Sequence, residues 1–118
     1  MTLLVLILSK TECIPGIISD VVAKGFGDPT VIDSEGALNI LSDSNVEPMP
    51  MFGGLRFVVG RARKESKTLL CVLKEKDVDE VVDIINKHTG GIDRPDTGII
   101  FTLPLNRVYG LRNPESED

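Results

Sequence analysis

Aromatic side chains are scarce. Phe, Trp and Tyr make up 4% of the 118 residues, and Trp is absent. A core without large rings must be assembled from Val, Ile and Leu. Cysteine is scarcer: Cys13 and Cys71 stand far apart with no C-x-x-C, which excludes a disulfide scaffold and a zinc knuckle. A single histidine, His88, leaves little for metal ligation or for Cys/His catalysis. Long apolar runs are also missing. Leu-Leu-Val-Leu-Ile-Leu at 3–8 is six residues, whereas a membrane span takes ~20. Basic residues are outnumbered, 13 Lys+Arg against 18 Asp+Glu for a net charge of −5. That balance excludes a domain whose whole surface binds nucleic acid and leaves room only for a local basic patch.

What is present is ordinary globular composition, 42% hydrophobic and 26% charged, at the length of one domain. The apolar stretch 3–8 lacks a basic segment before it and a small-residue cleavage site after it. It therefore reads as a fully buried first strand. The expectation is a cytoplasmic protein with reduced thiols and no transmembrane segment. Residues 1–112 form a single domain in this reading, and the acidic 113–118 a short tail.

The period then changes along the chain. Ile14, Ile17, Ile18, Val21 and Val22 recur at helical spacing. Thr11 is a candidate N-cap, Pro15 is tolerated in the first turn, and Gly25 can close the helix left-handed. After the Asp28-Pro29 turn, a strand begins at Thr30-Val31-Ile32, with Leu38–Leu41 able to continue it. Gly36 would mark a bulge or a close backbone approach within it. Residues 42–67 are irregular, with Met51–Val59 able to form a short helix and Gly60–Lys67 a basic loop. Thr68–Leu73 is the next strand. Asp77 and Glu80 have capping-box spacing ahead of a helix whose stripe is Val78, Val81, Val82 and Ile85, stopped by Gly90. Gly98–Leu103 is the last strand, closed by Pro104.

The order β-α-β, excursion, β-α-β predicts an α+β, ferredoxin-like βαββαβ sandwich, an antiparallel sheet with two helices on one face. The other face then needs cover, which an oligomer supplies.

Several residues carry candidate chemistry beside a plainer reading. Thr89-Gly90-Gly91 with Gly98 could offer backbone N–H groups to a phosphate, or be a helix C-cap and a turn. Arg56, Arg61, Arg63, Lys64 and Lys67 put five cations in twelve residues, which could gather phosphates or an acidic partner, or be a solvated loop. Met49, Met51 and Phe52 could be an adaptable partner contact, or could fold onto the core or a neighbouring subunit. His88 reads as a helix-end cation. Cys71 reads as core, and Cys13 has no nearby base. No catalytic unit stands out, so the expectation is a non-enzyme without a bound metal.

Taken together, five segments resemble the PII-type nitrogen regulatory proteins, and more closely their small, divergent PII-like relatives. Thr30-Val-Ile-Asp-Ser-Glu-Gly36 is similar to that family's second strand, and 42–67 falls where the family has its mobile T-loop. Asp77–Ile85 is similar to its second helix. Thr89-Gly90 followed by Gly98-Ile-Ile-Phe-Thr-Leu-Pro-Leu resembles its phosphate loop and following strand, and Asn106–Arg112 its terminus. The resemblance implies a homotrimer with its sheets facing inward. It implies ATP, ADP or another adenine nucleotide, or a related anionic metabolite, in the intersubunit clefts, contacted by Thr30, Gly36, Thr89, Gly90, Gly98 and Arg112. It further implies signalling to a protein target (a transporter, channel or enzyme) through Met49, Met51, Phe52, Arg56, Arg61 and Arg63. The chain departs from the family where a lysine is replaced by Ile99, a glycine and an arginine by Leu38 and Asn39, and an arginine by Gly110. Those departures keep open a trimeric interaction module without a nucleotide site, and a metal-responsive trimer of similar fold is disfavoured by the shortage of His and Cys.

Overall fold

A computed structural model describes residues 1–37, 40–41 and 65–111. Its regular elements run β1 (Thr2–Leu8), α1 (Ile14–Ala23), β2 (Thr30–Ser34), β3 (Ser66–Leu73), α2 (Val78–Thr89) and β4 (Gly98–Pro104). The strands form one four-stranded sheet in the order β2-β3-β1-β4, with every neighbour antiparallel. The fold is therefore α+β and compatible with the ferredoxin-like arrangement.

Alternation along the strands sends one set of residues toward the helices. Leu4, Leu6 and Leu8 of β1 pair directly with Cys71, Leu69 and Lys67 of β3. The two strands thereby lay Leu4, Leu6, Leu8, Leu69, Cys71 and Leu73 against Ile14, Ile17 and Val21 of α1 and Val81, Ile84 and Ile85 of α2. Val22 leaves the expected stripe and is 50% exposed. It lies one position past the buried Val21, about 100° further round the helix. Ile84 joins the core instead, between Val81 and Ile85.

The helix ends explain the loops. Gly25 has φ 77°, and Phe26 N–H reaches Val21 O at 3.1 Å while Gly25 N–H reaches Val22 O at 3.0 Å. That is a Schellman closure, with Phe26 packed on the core as its apolar partner. Gly90 closes α2 with φ 82°. The starts differ from the caps read in the sequence. Thr11 opens a single 3-10 turn, Thr11–Cys13, and makes no cap bond. Asp77 ends a similar turn, Glu75–Asp77, and also makes none. Its backbone is already helical (φ −96°, ψ −7°), not in the extended form that aims a carboxylate back at the third N–H.

β2 also ends earlier than its sequence suggests. Ser34 pairs with Ser66, the first residue of β3, and among the described residues the ladder goes no further. The chain turns helical instead at Ala37, Ile40 and Leu41, with Ile40 N–H bonded to Gly36 O at 3.1 Å. Gly36 lies past the end of β2, and no atom of the described residues comes within 4 Å of a side chain placed there. Ser66 and Lys67, assigned to the basic loop, belong to β3, where Lys67 Nζ donates to Asp33 Oδ1 at 2.6 Å. That bond holds the Lys67 ammonium pKa above its ordinary value. The short helix at Met51–Val59 lies outside the described residues.

The second face of the sheet carries Leu3, Val5 and Ile7 of β1, Leu70 and Val72 of β3, Ile32 of β2, and Ile99, Phe101 and Leu103 of β4, as the registers require. No described element covers it. Ile32 is 47% exposed, Ile99 56%, Phe101 41% and Leu103 45%.

Candidate functional site

The C-terminal end of α2 is the most heavily tied part of the molecule. Thr89 Oγ1 donates to Ile85 O at 2.9 Å and accepts Gly91 N–H at 3.3 Å. Asn86 takes Gly90 N–H on its backbone oxygen at 3.0 Å and Ile92 N–H on Oδ1 at 2.9 Å. Arg94 N–H donates to Gly91 O at 3.2 Å. The β1–α1 connection reaches across to the same end, with Lys10 Nζ on Thr89 O at 3.1 Å and the Cys13 thiol on His88 O at 3.2 Å. These donors satisfy carbonyls that a helix terminus leaves free. The backbone N–H groups of Gly90, Gly91, Ile92 and Arg94, the first choice for a phosphate cradle, all have partners within the chain.

Gly98 owes its identity to packing. A Cβ there would sit 2.4 Å from Ile7 O and 3.1 Å from Leu8 Cα, so β4 can approach β1 at this point only without a side chain. Thr97, just before it, is buried and bonds Ser9 N–H through its carbonyl at 2.8 Å.

His88 sits on the flank of this end and has a partner the sequence did not reveal. Its Nε2 lies 2.6 Å from Asp20 Oδ2 on α1, and its ring fills the place where a Cβ on Gly16 would fall, 2.7 Å from Cε1 and Nδ1. The available signal was a glycine inside an otherwise regular apolar stripe. The hydrogen bond from His88, chiefly, with the positive charges of His88, Lys87 and Lys24 as smaller contributors, holds the Asp20 carboxyl below its usual pKa of 3.8. A carboxyl lowered in the folded state stabilises above its unfolded value, and the gain is lost as pH falls through the folded one. We expect the urea midpoint of the wild type, followed by circular dichroism, to drop more steeply than that of Asp20→Asn as pH falls below the ordinary carboxyl value of 3.8. Parallel curves would remove this contact from the acid response.

The remaining site residues divide by position. Gly36, Thr89, Gly90 and Gly98 lie at the same end of the sheet as the ends of β1 and β2, since Leu8 pairs with both Lys67 and Gly98, and Ser34 with Ser66. Thr30 lies further along β2, exposed, opposite Leu70. Yet β2 and β4 are opposite edges. Three strand spacings separate them, ~14 Å. Thr30 and Gly36 therefore do not meet Thr89, Gly90 and Gly98 within one copy. On the bare face near the β2 end, Ser34 Oγ lies 2.8 Å from Ser66 Oγ and accepts Thr68 Oγ1 at 2.9 Å. Arg112, Met49, Met51, Phe52, Arg56, Arg61 and Arg63 lie outside the described residues, as do Leu38 and Asn39.

Burial pushes the Cys71 thiol up to about 11, so it stays protonated at neutral pH and serves as packing. Among the described residues no group of three or more His, Cys, Asp or Glu could hold a metal ion. None of their helices is long and apolar enough to cross a membrane. No protein-family model matches the chain.

Proposed function

We propose that the chain is a PII-like regulatory protein that works in the cytoplasm as a homotrimer. It senses an adenine nucleotide or a related anionic metabolite in clefts between copies and signals to a protein target through residues 42–67. One observation supports this reading best. Gly36, Thr89, Gly90 and Gly98 gather at one end of the sheet but toward its two opposite edges, so a ligand that touches both needs a second copy to bring β2 and β4 together. The uncovered apolar face supplies a reason for copies to associate, because a monomer rarely keeps so broad an apolar surface in water. No catalytic role is assigned to any residue.

Isothermal titration of the full chain with ATP, ADP and cyclic nucleotides tests the reading. Saturable heat is expected with at least one of them; no heat at millimolar ligand would overturn it. The internal pairing of the Gly90, Gly91, Ile92 and Arg94 amides favours a second reading, a trimer that acts as an interaction module without nucleotide. There a pulled-down partner would be lost on deleting residues 47–60 and would be indifferent to ATP.

A further inference from the structure

The loop between α2 and β4 carries a cation that the spent amides do not account for. Arg94 folds back over the two left-handed glycines that end α2. Its Nη1 lies 3.7 Å and its Cζ 4.0 Å from the point a Cβ on Gly90 would occupy. Its Cγ and Nε lie 3.7 and 3.9 Å from the corresponding point on Gly91. Both glycines have positive φ, 82° and 123°, and their backbone forms the seat on which the side chain rests, shared at Gly91 with Asp93 Oδ1, 3.1 Å from the same point. Asp93 and Asp96 flank it in sequence, yet the Arg94 side chain makes no ion pair or hydrogen bond among the described residues. Arg94 is exposed, on the loop that leads into Gly98.

We infer that Arg94 is the anion-binding group of this loop, and that its ligand is the phosphate chain of a polyphosphate. The inference deepens the nucleotide reading above and rests on it. The amides of Gly90, Gly91, Ile92 and Arg94 are committed to Asn86, Thr89 and Gly91, so the loop cannot bind an anion mainly through a nest of N–H groups. Lys10 already spends one donor on the Thr89 carbonyl. The strand position beside Gly98 holds the apolar Ile99. A guanidinium with five donors in a planar fork, exposed above the two glycines, can meet two phosphate oxygens at once, provided the ligand clears the Asp93 carboxylate beside Gly91.

The test compares the wild type with Arg94→Gln and Arg94→Lys by isothermal titration, using ATP and inorganic tripolyphosphate as probes. Urea midpoints are measured alongside. The Gln variant is expected to lose about tenfold or more in affinity for both probes, with the Lys variant intermediate because it keeps the charge without the fork. Loss with ATP alone would also support the role, placing the phosphates under Arg94 only when the nucleoside anchors them. Wild-type affinity in the Gln variant would overturn the assignment. So would a lowered midpoint with affinity unchanged, which is the signature of an arginine that only supports the α2 terminus. Failure of the wild type to bind either probe would overturn the site reading itself, a result visible before any variant is made.

Discussion

Replacing Gly98 with alanine is expected to lower stability by about 3 kcal/mol, a drop of about 1–2 M in the urea midpoint at fixed protein concentration. The reason is geometric. The new methyl would fall 2.4 Å from Ile7 O and 3.1 Å from Leu8 Cα, and both are backbone of the central strand, which cannot swing aside as a flexible side chain can. Relief requires β4 to retreat from β1 at the first pair of their register, Leu8↔Gly98. Ile100, packed against the core two residues on, would move with it. Gly36→Ala is the matched control. No atom of the described residues lies within 4 Å of the added carbon there, and the residue is exposed, so its midpoint should shift by no more than about 0.5 kcal/mol in equivalent stability. Equal effects of the two substitutions would show that Gly98 is not held by close approach, and would return it to the list of residues chosen for a ligand.

The second large effect concerns assembly. Phe101 lies on the bare face, paired with Val5 of the central strand and flanked by Ile99 and Leu103. Burying a Phe against a neighbouring copy contributes about 1.5–3 kcal/mol, and burying a carboxylate in its place costs several more. Phe101→Glu should therefore raise the dissociation constant of the proposed trimer at least a hundredfold, leaving monomers at micromolar concentration. Because the side chain points away from the two helices, the far-ultraviolet circular dichroism should keep its α+β shape. A variant that sediments like the wild type would exclude this face as the interface.

Much of the architecture was legible because it depends on period alone. The switch from the apolar run at 3–8 to the stripe Ile14, Ile17, Val21, and again from Leu69–Leu73 to Val81 and Ile85, fixes strands and helices without knowledge of their neighbours. Gly25 and Gly90 were readable as stops for the same local reason. What escaped depended on partners. The end of β2 is decided by where β3 begins, some thirty residues later in the chain. The capping role of Asp77 is decided by a 3-10 turn that puts its backbone in the helical region. Asp20 and His88 meet only because α1 and α2 pack together, and Gly16 gave the one hint that something large lay opposite.

For the candidate site, sequence placed Gly90 and Gly91 correctly after α2 and Gly98 at the start of β4, put Gly36 in a strand that ends before it, and could not say how any of them is used. Thr89 and its amide neighbours are satisfied at home, Gly98 is explained by strand approach, and Arg94 becomes visible only once the loop is seen to fold back. The split of Thr30 and Gly36 from Gly90 and Gly98 across the sheet likewise follows from strand order, which one-dimensional spacing does not contain. The charge excess at Arg56–Lys67 is also altered, since Lys67 is spent on Asp33.

The central claim is that a ligand site is completed between copies of this chain, and native mass spectrometry of the full protein with ATP tests it most directly. Three copies of the 12.8 kDa chain should appear together at about 38 kDa, carrying up to three nucleotides, with no nucleotide on any residual monomer. A nucleotide-bearing monomer, or a protein that stays monomeric and unliganded at millimolar ATP, would contradict it.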